Sequence, residues 1–201
     1  AAGGGDTVNV APGTYDGEIT LDKQGVTLAG GEAVIDDAGT GVTVTGDGAE
    51  ITGFTFRGLE TAVQVTADET AIRNSDFRAS VTNGAVIESE DTAITNNEFS
   101  GNEIALRLAD GADGAEIQDN NILDSEDRAV FSTAGIHDIE NNNIERSNVA
   151  IDADAGQIDA TNNWWGRPGG PIVTGQNPEI QSPVTVEPWQ TDPVEEPDYQ
   201  I

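Results

Sequence analysis

The chain lacks cysteine and methionine altogether, and its 201 residues include one histidine and a single lysine, Lys23. Without cysteine there are no disulfides, no thiolate metal sites and no cysteine nucleophile. His137 is the only imidazole, and no serine and aspartate stand out as its partners in a catalytic triad. Its place beside Gly135 predicts a solvent-exposed turn residue. Aromatic residues are few, with three Trp, two Tyr and five Phe, which leaves little for a row of exposed sugar-stacking rings. No apolar run approaches the roughly 20 residues that span a bilayer, so no direct membrane insertion is expected. No Asn-x-Ser/Thr sequon occurs, and N-glycosylation is not predicted.

What the chain has in abundance is negative charge. Asp and Glu number 37 against 8 Lys and Arg, a formal net charge of −29. Such a field repels nucleic acid and anionic membranes, so neither is an expected partner. At about 1 M salt the Debye length falls to about 3 Å and the self-repulsion is screened. The acidic, lysine-poor composition resembles that of proteins from extreme halophiles.

The second feature is a repeat of about 21 residues. Ile51, Ile72, Ile94, Ile117 and Ile139 are each followed five positions later by Phe56, Phe77, Phe99, Ile122 and Ile144. A sixth copy starts at Ile158, with one extra residue before Trp164. Upstream runs a column of Val42, Val63, Val86, Leu106, Val130 and Ile151, mostly preceded by a small residue. Between the Ile and Phe columns lie Asn74, Asn96, Asp119 and Asn141, beside Asn97, Asn120 and Asn142. Short alternating strands with Asn and Gly at the corners predict one coil of a parallel β-helix per repeat. No coil buries its own face, so stability must come from stacking. The first 40 residues continue the alternation at Val8/Val10, Ile19/Leu21 and Val26/Leu28. The predicted fold is all-β: a right-handed parallel β-helix of about eight coils over residues 1–171. Residues 172–201 are expected to add a cap strand at Val184/Val186 and an extended acidic tail.

The GDTVNVAPGTY opening, the Ile-x-Asn-Asn-x-Phe/Ile coils, NNWWG and the later EPW resemble the right-handed β-helix repeat proteins, of the pectate-lyase-like and NosD-like extracellular kind common in haloarchaea. The resemblance covers nearly the whole chain and implies the fold. For function it spans lyases, hydrolases, adhesins, fibres and structural shafts.

A lyase of this kind implies a basic residue to take a proton, usually beside Ca²⁺ held by carboxylates. Arg57, Arg73, Arg78 and Arg107 are the candidates. Asp76 and Glu98 fall in one outward column, where a hydrolase would need two carboxylates at a set separation. A salt network on a solvated face is the expected reading of these charges, because coils of 20–24 residues leave no long loops to wall a groove. The acidic turns holding Asp110, Asp113, Asp124 and Asp127 match no EF-hand spacing. No cofactor is expected beyond Ca²⁺ or Na⁺ held weakly there. Trp164 is assigned inward beneath Ile144 and Trp165 outward, with Trp189 returning to finish a lid. The expected function is a non-catalytic structural module of an extracellular surface or fibre, cellular in an archaeal halophile or viral. It would associate with itself through the β-helix ends or through a tail ending in Tyr199 and Ile201. The alternative is a carbohydrate-binding or polysaccharide-degrading β-helix protein, a lyase or hydrolase.

Overall fold

The computed structural model describes residues 2–36, 39–172, 180–181 and 184–195; Tyr199 and Ile201 lie outside these. The chain winds as a right-handed parallel β-solenoid of about eight coils. Among the described residues every strand pairing is parallel. Each coil lays a strand on three faces in turn. The first face carries Ala71–Arg73, Ala93–Thr95, Glu116–Gln118, Ile136–Glu140 and Gln157–Asp159. The second carries Asp76–Arg78, Glu98–Ser100, Asn121–Leu123 and Asn143–Glu145. The third is an eight-stranded sheet running from Ile19–Leu21 to Ile180–Gln181. Near the N-terminus the long strands Thr27–Asp36 and Glu50–Arg57 pass through the first two faces without a break. Val184–Thr185 carries the first face one strand further by pairing with Gln157–Asp159.

The core is a set of vertical columns, because a parallel ladder repeats the same position at every coil. Leu28, Ile51, Ile72, Ile94, Ile117 and Ile139 stack in register on the first face. Phe56, Phe77 and Phe99 stack on the second, with ring centroids 4.9 and 4.4 Å apart. Ile122 and Ile144 continue that column. On the third face the inward column is Val42, Val63, Ala85, Leu106, Val130 and Ile151. Val86, which the repeat placed here, instead joins the outward column of Gln64 and Arg107. The frame slips because the small-residue column runs Gly41, Ala62, Gly84, Ala105. A Cβ on Gly84 would meet the Ala105 carbonyl oxygen at 2.5 Å, so glycine is required there.

The corner between the first two faces explains the asparagines. Asn74, Asn96, Asp119, Asn141 and Asn162 adopt left-handed backbone, with φ between 51° and 58°. The residues that follow are Ser75, Asn97, Asn120, Asn142 and Asn163. Their four asparagine side chains are buried and bonded into a ladder. Asn120 Oδ1 accepts from the Asn97 backbone N (2.9 Å) and from Asn97 Nδ2 (3.1 Å). Asn142 and Asn163 repeat the pattern below.

His137 departs from its expected place. It lies on the strand Ile136–Glu140, only 1% exposed. It points inward in the column of Thr70, Thr92 and Ala115, two positions before Ile139. Its Nε2–H donates to the Ala134 carbonyl (2.8 Å), as Thr70 Oγ1 donates to Ala67. Nδ1 has no partner among the described residues. Burial holds the imidazole below its ordinary pKa, against the opposing pull of the Ala134 hydrogen bond and of Asp113 and Asp138. Unfolded, the ring titrates near about 6.5. Below that pH the unfolded chain takes up a proton that the folded state resists, so stability falls as pH drops and levels off beyond the folded value. Above about pH 6.5 the contribution is fully present. We expect the Tm difference between wild type and His137→Gln to narrow, or to reverse, from pH 7 to pH 5; a constant difference across that range counts against the assignment.

Candidate functional site

The outward columns of the second face form a charge network. Asp76 pairs in register with Glu98, and Arg57 with Arg78. Arg57 is bonded to Asp36. Arg73 lies 3.3 Å from Glu50. Arg78 is bridged to Asp76, which is buried although it points outward. That hydrogen bond raises the Arg78 pKa above its ordinary value. Three of the four basic candidates are thus held by the chain's own carboxylates.

The fourth is not. Arg107 makes no ion pair with any described residue, and its Nε is buried without an acceptor. It stands on the third face in the outward column Thr43, Gln64, Val86, Arg107, Phe131 and Asp152. Phe131 points outward and is half-buried. The Arg107 guanidinium carbon lies 5.8 Å from the Phe131 ring centroid. Arg128, on the same strand as Phe131, reaches the ring at 4.7 Å. Cations over an aromatic face are held there by its quadrupole. Arg128 is also tied to Asp152 Oδ2 (2.7 Å) and to Asp127. These contacts raise its pKa, first through the Asp152 hydrogen bond. Two coils above Arg107, Gln64 Nε2 donates to Glu88 Oε2 (3.1 Å). The arrangement offers one guanidinium fork open to a planar anion, beside an aromatic ring. Arg128 was not among the basic candidates of the sequence; its place three residues before Phe131 was the available signal.

The acidic turns do not converge. Asp110 accepts from Thr133 Oγ1 (2.9 Å), and Asp113 from the Ile136 backbone N (2.7 Å). Asp124 takes the Arg146 guanidinium, which holds its carboxyl below the usual range. Asp127 takes Arg128. Among the described residues no three acidic or histidine side chains come together at metal-binding distance. The side chains around Arg107 therefore do not form the carboxylate cluster that a Ca²⁺-dependent lyase would imply.

The tryptophan pair is exchanged relative to the sequence reading. Asn163 takes the ladder position, which puts Ala160 in the isoleucine column and Trp165 beneath Ile144. Ile158 stacks on His137 instead. Trp165 is part of the buried core. Trp164 pairs with Asn143 in the outward column, where its Nε1 donates to Glu145 Oε1 (2.8 Å). Residues 187–195 fold back over this end. The Pro188 carbonyl accepts from Asn162 N, Gln190 N donates to Asn163 O, and Asn143 clamps both backbone groups of Val194. Trp189 lies against Gly170, where a Cβ would sit 2.5 Å from its ring, and donates to the Pro168 carbonyl (3.2 Å). Neither Trp164 nor Trp165 is open as a sugar platform.

These coils and columns define a parallel β-helix repeat protein. Residues 40–181 match the model of the right-handed β-helix region, and the chain belongs to that family. Two solved structures are similar. An alginate lyase in complex with a trisaccharide superposes with a TM-score of 0.63 at 15% identity, over 82% of this chain and 48% of that one. A pectate lyase superposes with a TM-score of 0.54 at 14% identity, over 96% of this chain and 71% of that one. The chain thus spans about half the length of the alginate lyase. No curated protein sequence matches it.

The expectation of a non-catalytic fibre module is overturned at this point, and with it the expectation that the chain is not an enzyme. Both similar structures are polysaccharide lyases.

Proposed function

We propose that the chain degrades an acidic polysaccharide, as a lyase, holding a uronate carboxylate on Arg107 beside Phe131. The observation that carries this reading is the Arg107 guanidinium, which pairs with no carboxylate of the described residues and keeps a buried Nε without an acceptor, in a chain of net charge −29. Arginine is normally saturated in such an excess of acids, and the other charged columns follow that rule. β-Elimination moves the C5 proton of a uronate to a solvent base and expels the C4 oxygen with its attached sugar, which takes a proton from water, leaving a C4–C5 double bond. A guanidinium on the C6 carboxylate stabilises the negative charge that develops there. The similarity to alginate and pectate lyases supports this class of substrate. Acidic polysaccharides of this kind lie outside cells, which agrees with the extracellular location expected from the sequence.

Alginate and pectate are the polymers to try, following the ultraviolet absorbance of the unsaturated product. Arg107→Ala should lower the rate roughly a hundredfold. Arg146→Ala, which breaks the remote pair with Asp124, should leave it unchanged. Reducing ends without new absorbance would make the chain a hydrolase. Retention on immobilised polymer without cleavage would make it a binding module. No interaction with either polymer, or full activity in Arg107→Ala, would reject the reading.

A further inference from the structure

We infer that Asp152 closes this site to a second uronate on the side beyond Phe131, so that the site takes the end of an acidic chain, which makes Asp152 a specificity-determining residue; the inference rests on the acidic-polysaccharide reading above. Along the shaft the outward column presents Val86, Arg107, Phe131 and Asp152, one residue per coil. An acidic chain lying on this column meets a cation, then an aromatic ring, then a carboxylate. Asp152 is 9% exposed and held by Arg128 Nε at 2.7 Å, so it cannot turn away into solvent. Its position has two effects. It occupies the second guanidinium beside Phe131, and it sets a negative charge where the next uronate would bring its own. Asp127 completes the closure of Arg128. Of two cations that touch one ring, one is open and the other is closed by the protein itself. The internal carboxylate of Asp152 fills the place of a second substrate carboxylate. A neutral unit, or the end of the chain, fits beyond Phe131, whereas a second uronate is repelled.

Calorimetric titration with a uronate monosaccharide, disaccharide and trisaccharide tests this. In the wild type, affinity should change little with length. Asp152→Asn keeps the shape, removes the charge and weakens the hold on Arg128 Nε, because a neutral amide oxygen is a poorer acceptor than a carboxylate. The trisaccharide should then bind about tenfold more tightly than to wild type, with the monosaccharide unchanged. Asp152→Glu should restore the flat profile. Asp124→Asn, in the remote pair with Arg146, should keep it. Near-ultraviolet circular dichroism checks that each variant is folded. A steep length dependence already in wild type, or the same flat profile in Asp152→Asn, overturns the inference while leaving the polysaccharide reading intact. Failure of every uronate to bind either protein overturns both.

Discussion

Asn120→Ala should lower stability by about 4 kcal/mol, close to the upper end for a single substitution. Asn120 Nδ2 donates to the carbonyls of Ile94 (2.8 Å) and Gln118 (2.9 Å) and to Asn142 Oδ1 (3.0 Å). Its Oδ1 takes two donors from Asn97. Alanine removes all five bonds and leaves the Asn97 backbone N–H facing a dry gap, while Asn97 Nδ2 keeps the Ile72 and Thr95 carbonyls. Each buried group without a partner costs about 1–3 kcal/mol. For a domain of this size the Tm should fall by about 10 °C. Gln118→Ala, two residues away on the outward side, should stay within about 0.5 kcal/mol. Calorimetry at high salt separates the two cases. A loss below about 1 kcal/mol in Asn120→Ala would mean that the ladder adds little to the fold.

Salt should move the Tm by a comparable amount, on the order of 10 °C between 0.01 M and 1 M NaCl. The cause is visible in the columns. Glu116, Asp138 and Asp159 face solvent on adjacent strands of the first face, in register and with one sign. Like charges directly opposite one another on neighbouring strands are destabilising. The ion pairs of Arg57, Arg73, Arg78 and Arg146 relieve only parts of this field. The Debye length falls from about 30 Å to about 3 Å across that range, below the strand spacing of about 4.8 Å. Stability should therefore still be climbing at the upper end, rather than levelling off near 0.1 M. A Tm that is flat or falling with salt would contradict this account.

Much of the fold was legible because a solenoid writes each contact once per coil. Ile51 to Ile139 and Phe56 to Ile144 could be placed by spacing alone. The errors arose where one coil differs in length from its neighbours. Trp164 and Trp165 were exchanged because Ile158, not Ala160, was taken as the head of the last repeat. Alanine carries no periodic signal, whereas isoleucine does. Val86 was misplaced for a similar reason: Gly84 and Ala85 are both small, and either could fill the column before the valine. His137 was legible in principle, since it stands two residues before Ile139 on a strand. The neighbouring glycine outweighed that alternation. The site was harder to find. Arg107 was one of four basic candidates, and only the positions of the carboxylates among the described residues set it apart. No local pattern records that a side chain has been left without a partner.

The parallel stacking also makes the outer surface a ruled grid. One axis is the shaft, graduated in coils; the other is the strand, graduated in alternate residues. A substitution at any outward position writes one chemical group at a known coordinate, without disturbing the columns inside. Arg107, Phe131 and Asp152 are three consecutive marks on one line of that grid. Excising one whole coil would bring the flanking marks together by one graduation and leave their order unchanged. The spacing between a cation and the carboxylate that opposes it is therefore adjustable in steps of about 4.8 Å, a property that loops around a pocket do not have.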